Sequence, residues 1–176
     1  MNICLIPFLC QFATIFESRK QGFASSEEYR GYIASKKRYF YGIRVQLLST
    51  IDGIPVEFVF LPGEAHDTRG LKALPLNLPS GSTVYGDAGY TDYLTEDDIQ
   101  EIEGITLAIM RKKNSLRPDQ PYMAYIKQHL RHAIETLFSQ ITQRFHKSIH
   151  AVTMDGFLMK IATFIIVHTL ESALIV

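Results

Sequence analysis

Apolar and polar positions alternate along Tyr39–Thr50, where Ile43, Val45 and Leu47 interleave with Arg44 and Gln46. A period of two predicts a β-strand with its apolar set on one face. A second run, Ile54–Leu61, follows across Asp52-Gly53, a strong hairpin signal, and Pro62-Gly63 ends it. Thr68–Leu74 suits a short helix, and Leu74–Ser82 is a Pro-punctuated connection. Thr83–Gly86 predicts a short strand running into Asp87. Residues 92–103 read as an acidic surface helix, with Thr91 or Thr95 as N-cap and Gly104 closing it. Ile105–Met110 is a further apolar strand, and Arg111–Pro121 a basic, Pro-bounded loop.

From about Tyr122 to Phe145 the period changes. Ile126, Leu130, Ile134, Leu137, Phe138, Ile141 and Phe145 keep helical spacing, with Gln128, Arg131, Glu135, Ser139 and Thr142 on the other face. A last apolar helix runs from Met154 to Ala173. Residues 17–37 are polar and mixed and predict a surface loop. A hairpin followed by alternating helices and strands predicts an α/β fold, a mixed sheet flanked by helices. In such sheets sites form at the carboxyl ends of strands, and Asp87 is at one.

Composition narrows the class. A chain of 176 residues, 47% hydrophobic and 20% charged, can build one core and is not a disordered chain. Two cysteines, Cys4 and Cys10, make neither a disulfide framework nor a zinc site, and fit buried thiols in a reducing compartment. Met1–Phe16 lacks the basic leader and small-residue cleavage site of a secretory signal. Phe157–Val176 is the most apolar stretch, interrupted by Lys160, His168 and Glu171. It predicts a buried helix, with a membrane span as the alternative. The expected location is the cytoplasm, away from membranes.

The net charge of zero conceals blocks. Residues 1–50 carry seven bases against three acids, residues 87–103 seven acids and no base, and residues 105–150 eight bases against two acids. Basic blocks around an acidic one fit a chain that meets phosphate, although such blocks are usually solvated faces.

Two carboxylates stand out. Asp87 ends a strand between small residues, in Tyr85-Gly86-Asp87-Ala88-Gly89-Tyr90, where a metal or a backbone could approach closely. Its plainer role is to start a turn. Glu135 lies on a basic helix, one turn after Arg131. Its plainer role is an i,i+4 ion pair of about 0.2–0.5 kcal/mol. A strand-end carboxylate and a helix carboxylate can together hold Mg²⁺, which prefers hard oxygen ligands. Two such ions roughly 3.5–4 Å apart serve phosphoryl chemistry. His129, His132 and Glu135, three apart on one helix, drift too far in angle to suit one zinc. No Walker-type phosphate loop and no Gly-x-Ser-x-Gly elbow occurs.

Several segments, in order, resemble the catalytic domain of bacterial insertion-sequence transposases of the DDE type. Arg30-Gly31-Tyr32-Ile33-Ala34-Ser35-Lys36-Lys37-Arg38-Tyr39-Phe40-Tyr41-Gly42 resembles its opening, and Tyr85–Tyr90 its second-Asp motif. Arg111-Lys112-Lys113-Asn114-Ser115 is similar to its basic loop, and Ile134–Ile141 to its Glu motif, with Lys147–Thr153 following. The resemblance spans roughly residues 25–170 and leaves 1–24 as the remains of an opening strand and loop. It implies a ribonuclease H-like fold and three carboxylates that bind Mg²⁺ (or Mn²⁺) for DNA cleavage and strand transfer. Asp87 then corresponds to the second Asp and Glu135 to the Glu. Arg131 matches the Arg of the family's Tyr-Arg-Glu signature, whose Tyr falls at Gln128, and Asp67 matches a supporting acid. Lys36, Lys37, Arg38, Arg111, Lys112, Lys113 and Lys147 are the expected DNA contacts.

The first Asp departs from the pattern. No acid precedes Glu17, and the nearest polar candidate before Pro7-Phe8-Leu9-Cys10 is Asn2. The expectation is an N-terminally truncated transposase with an incomplete opening strand, weak metal binding and little or no transposition. DNA is the expected partner, with a homo-oligomer or a mixed oligomer with full-length transposase. The alternative is a non-catalytic, DNA-binding or oligomerising remnant that interferes with a full-length transposase.

Overall fold

A computed structural model describes residues 10–15, 27–33, 37–144 and 153–174. Asn2, Lys36 and Lys147 lie outside them. The strand β3 (Arg38–Ser49) is the organising element. It pairs antiparallel with β1 (Cys10–Ile15), with β2 (Arg30–Ile33) and with β4 (Pro55–Pro62). The hairpin forms where Asp52-Gly53 predicts it. Thr50 N–H donates to the Ile54 carbonyl at 2.9 Å, and Gly53 takes φ 81°, a left-handed conformation that glycine adopts at no steric cost. The stretch 17–37, expected as a loop, holds β2 and a 3-10 turn, Glu27–Tyr29. The four-residue β2 is too short to show an alternation, and its pairing with Arg38–Tyr41 is what makes it a strand.

Both faces of β3 are buried. Ile43, Val45 and Leu47 pack on Phe157, Ile161 and Ile165 of the helix α4 (Met154–Leu174). On the other face Leu48 joins Leu71, Leu74, Val84, Tyr90, Ile105 and Ile109. Arg44 and Gln46 share that second face, which the alternation alone assigns to solvent. Gln46 is fully buried, and its amide donates to the Asp67 carbonyl at 3.2 Å. A Cβ on Gly70 would stand 1.6 Å from the Gln46 side chain, so only glycine lets α1 (Asp67–Ala73) lie this close to the strand.

The second unit is a parallel pair, β5 (Thr83–Gly86) and β6 (Thr106–Ile109), joined through α2 (Tyr93–Glu103). Among the described residues β5 and β6 pair as strands only with each other, so the single mixed sheet expected from the element order is two sheets sharing one apolar core. The chain is α/β, as the alternation of elements predicts.

The α2 cap is Asp92, not Thr91 or Thr95. Its carboxylate accepts from the Thr95 N–H at 3.4 Å and the Thr95 hydroxyl at 2.9 Å, and Lys72 pairs with it at 2.9 Å. A carboxylate at this end also meets the positive end of the helix dipole, which a hydroxyl cap does not exploit. Gly104 ends the helix at φ 67°.

The helix α3 runs Pro121–Arg144. The last helix, α4, is not wholly buried. Phe157, Ile161, Ile165 and His168 form one buried stripe, while Met159, Ile166, Leu170 and Leu174 are exposed. It is long and apolar enough to cross a membrane, with mean hydropathy 1.5, and it is here laid along β3 and β4.

Candidate active site

Asp87 stands where β5 ends. The Met110 N–H donates to the Gly86 carbonyl at 2.8 Å, which continues the β5–β6 pairing to the last residue before the carboxylate. The chain then turns at once. Tyr90 N–H donates to the Asp87 carbonyl at 3.0 Å, and one carboxylate oxygen of Asp87 accepts from the Ala88 N–H at 2.7 Å. The side chain thus caps a one-turn 3-10 helix, Ala88–Tyr90. The turn-forming role foreseen for Asp87 is observed, at the strand end where the sequence places it.

The turn is seated on Asp67. A Cβ on Gly89 would lie 2.2 Å from the Asp67 carboxylate, so the absence of a side chain there is what lets the two segments meet. Asp67 opens α1, and its other oxygen takes the Arg44 guanidinium at 3.3 Å. The Arg44 Nε–H donates to the Gly63 carbonyl at 2.7 Å. Burial pulls the Arg44 pKa below its ordinary value, and the charge of Asp67 and the nearby Tyr90 phenol oppose that shift. Asp67 thus touches the Asp87 turn and is held by a largely buried guanidinium. Arg44 escapes a sequence reading because an arginine in an alternating strand looks like a solvent-facing residue. Its one signal is the company of Gln46 on the same face of so long an apolar strand.

The basic loop after β6 is clamped onto the acidic helix α2. Arg111, largely buried, forms a two-pronged pair with the buried Glu96. Arg117 pairs with Asp97 through bonds of 2.7 and 2.8 Å. The two guanidinium groups stand 5.1 and 4.8 Å from the Tyr93 ring, whose hydroxyl shares a 2.6 Å hydrogen bond with Ser115. Both terminal nitrogens of Arg111, expected as a DNA contact, are thus engaged by Glu96. Its hydrogen bond to Glu96 raises its pKa against the opposing effect of burial. Lys112 and Lys113 remain exposed on the same loop. The blocks of opposite charge read along the chain are in part each other's partners.

Glu135 and Arg131 lie on α3, and their side chains fall outside the described ones. The helix itself is fastened near Asp87. Lys127, buried, donates to the Ile109 carbonyl at 2.9 Å and pairs with Asp119. Asp119 in turn accepts the Arg111 N–H at 3.2 Å. Lys37 is exposed at φ 48°, and Arg38 begins β3 with its side chain outside the description.

The chain matches the transposase DDE domain over residues 13–170. It is a member of that family. No curated protein and no solved structure matches it. The activity of the family is transposition-related DNA cleavage, which makes DNA the partner of this transposase domain. A divalent metal is the usual cofactor of the family. The donor chemistry fits a hard cation, since Asp87 presents carboxylate oxygens at a strand end ringed by small residues. Among the described residues no group of three His, Cys, Asp or Glu is placed to hold a metal ion.

Proposed function

We propose that this transposase domain is of the insertion-sequence type with a ribonuclease H-like core, in which Asp87 and Glu135 are the metal-binding carboxylates. The observation that carries this reading is the Asp87 turn, a carboxylate at a strand end with its neighbour Gly89 pressed on Asp67. A bound Mg²⁺ or Mn²⁺ would lower the charge on the scissile phosphate and activate the attacking oxygen. The protein's own part is positional. Asp87 is fixed by the Ala88 N–H, α3 is fixed to β6 by Lys127, and exposed Lys112 and Lys113 hold the DNA backbone. Lys36, Lys37, Arg38 and Lys147 extend that contact, Arg131 supports Glu135, and Asp67 supports Asp87.

Asp87 and Glu135 are the two carboxylates that this reading assigns to the site. Two carboxylates neutralise half of the charge of a metal pair, so metal binding is weak and strand transfer by this chain alone is negligible. The domain acts on DNA in the cytoplasm. The test is calorimetric titration with Mn²⁺ alongside a cleavage assay on duplex DNA in millimolar Mg²⁺. Weak Mn²⁺ binding that Asp87→Ala abolishes, without cleavage, is expected. Robust Mg²⁺-dependent cleavage lost in Asp87→Ala would refute the inactivity, and metal binding indifferent to Asp87 would refute the site.

One observation favours a second reading, a non-catalytic partner of full-length transposase. Met159, Ile166, Leu170 and Leu174 expose an apolar stripe on α4 that suits contact with another chain. Co-sedimentation with a full-length transposase of the same type, unaffected by Asp87→Ala, would support it.

A further inference from the structure

The loop between β6 and α3 contains a turn tied to one phenol. Lys112, Lys113, Asn114 and Ser115 form the turn, closed where the Ser115 N–H donates to the Lys112 carbonyl at 2.9 Å. The Ser115 hydroxyl shares its 2.6 Å hydrogen bond with the Tyr93 hydroxyl of α2, which also accepts the Leu116 N–H at 3.2 Å. Ser115 is tied forward as well, accepting the Arg117 N–H and donating to the Arg117 carbonyl, both at 3.3 Å. The Tyr93 hydroxyl thus fixes the last corner of the turn and the residue after it. The Ser115 hydrogen bond pulls the Tyr93 pKa below its ordinary value against the effect of desolvation, and the Leu116 N–H adds to the pull.

Two arginines frame the turn. Arg111 precedes it and pairs with Glu96, and Arg117 follows it and pairs with Asp97. Their guanidinium groups, 5.1 and 4.8 Å from the Tyr93 ring, are close enough to be attracted by its face. Glu96 and Asp97 are thereby taken up by the arginines. Lys112 and Lys113 are exposed, and no ion pair among the described residues includes either. Two adjacent ammonium groups repel each other, so their charges do not hold the turn together. A turn ordered only when DNA arrives would spend binding free energy on its own ordering, and one fixed beforehand does not.

We propose that Tyr93 is a positioning residue for DNA: through Ser115 and Leu116 it holds the turn that presents Lys112 and Lys113 to the DNA backbone. The inference rests on the DNA-acting reading above and gives an uncharged side chain of the acidic helix a part in it. Tyr93 acts through the two lysines and not by touching a phosphate. Its hydroxyl ties the turn, and its ring lies beside both guanidinium groups that frame it.

The test uses the full chain and a short, mixed-sequence, fluorescently labelled DNA duplex, with anisotropy read at several salt concentrations. Tyr93→Phe keeps the ring between the guanidinium groups and removes the hydroxyl. Ser115→Ala removes the same hydrogen bond from the other side. Each should weaken duplex binding at low salt on the order of tenfold and make the salt dependence shallower by about one to two units of slope, the share of two lysines. The two changes together should cost about as much as either alone, because they break one bond. In a chain already carrying Lys112→Ala and Lys113→Ala, Tyr93→Phe should have no further effect on binding. A role in stability alone would leave affinity and slope unmoved below the melting temperature, which thermal unfolding of each variant establishes. If Tyr93→Phe does not fold, Ser115→Ala decides by the same criteria. Parental affinity and slope in the variants, or an equal loss where both lysines are already absent, overturns the positioning role and leaves the DNA-acting reading intact. A parent chain that binds no duplex overturns both.

Discussion

The Lys127 ammonium donates to the carbonyl oxygen of Ile109 at 2.9 Å and ties α3 to the end of β6. One residue on, the Met110 N–H reaches the Gly86 carbonyl, next to Asp87. A continuous set of bonds therefore runs from the β5 end to the helix that carries Glu135. The ammonium is 5% exposed and its partner Asp119 16%, so their charges interact through little water. Replacing Lys127 by Met should cost about 3 kcal/mol, because it strands the Asp119 carboxylate. Urea unfolding would measure it, and adding Asp119→Asn to the same chain should return part of the loss. A Lys127→Met protein as stable as the parent would show that the pair does not hold α3.

Gly89 admits no side chain. Asp67 cannot swing aside from a new Cβ without leaving Arg44, which would strand a largely buried guanidinium. Gly89→Ala is expected to destabilise by about 1–3 kcal/mol and to displace Asp87 with the turn. Thermal unfolding reads the first effect, and loss of whatever Mn²⁺ binding the parent shows reads the second.

Adjacent bases of one loop should behave differently. Arg111→Ala breaks a buried pair with Glu96 and is expected to lower stability by about 3 kcal/mol. Lys112→Ala and Lys113→Ala touch exposed side chains and should stay within about 0.5 kcal/mol of the parent. Each lysine change should instead reduce the salt dependence of DNA binding by about one unit of slope. Filter binding at several salt concentrations, beside urea unfolding, separates the two kinds of residue.

Acid should weaken the α2 cap. The hydrogen bonds of Asp92 with Lys72, and then with Thr95, hold its carboxyl below the usual carboxylate range. A carboxyl whose folded pKa is depressed adds stability that is fully present above its unfolded value, about pH 4, and is lost as pH falls through the folded value. Melting temperature followed from pH 6 to pH 2 should fall less steeply in Asp92→Asn, which keeps a capping oxygen but carries no charge. Identical slopes would remove Asp92 from the acid response.

Much of this was legible along the chain. Thr83–Gly86 forms as read, α1, α2, α3 and α4 lie within a residue or so of expectation, and Asp52-Gly53 makes the hairpin. Local periods, breakers and turn residues act over a few neighbours, so they survive in one dimension. The strand-end position of Asp87 was legible for the same reason.

What lay across the fold was not. Arg111 reads as a DNA contact until Glu96, fifteen residues earlier, closes on it, and Arg44 and Gln46 read as a wet face until α1 covers them. Nothing along the chain marks Lys127 as the base that is buried against Ile109. Sequence by itself determined the kinds of element, their order and the place of Asp87 at a strand end, because these depend on neighbours in the chain. Tertiary structure alone decided which charges face inward and that Asp67 supports the Asp87 turn. An ion pair or a glycine contact between distant segments depends on where the backbone brings them, and leaves no period in the sequence.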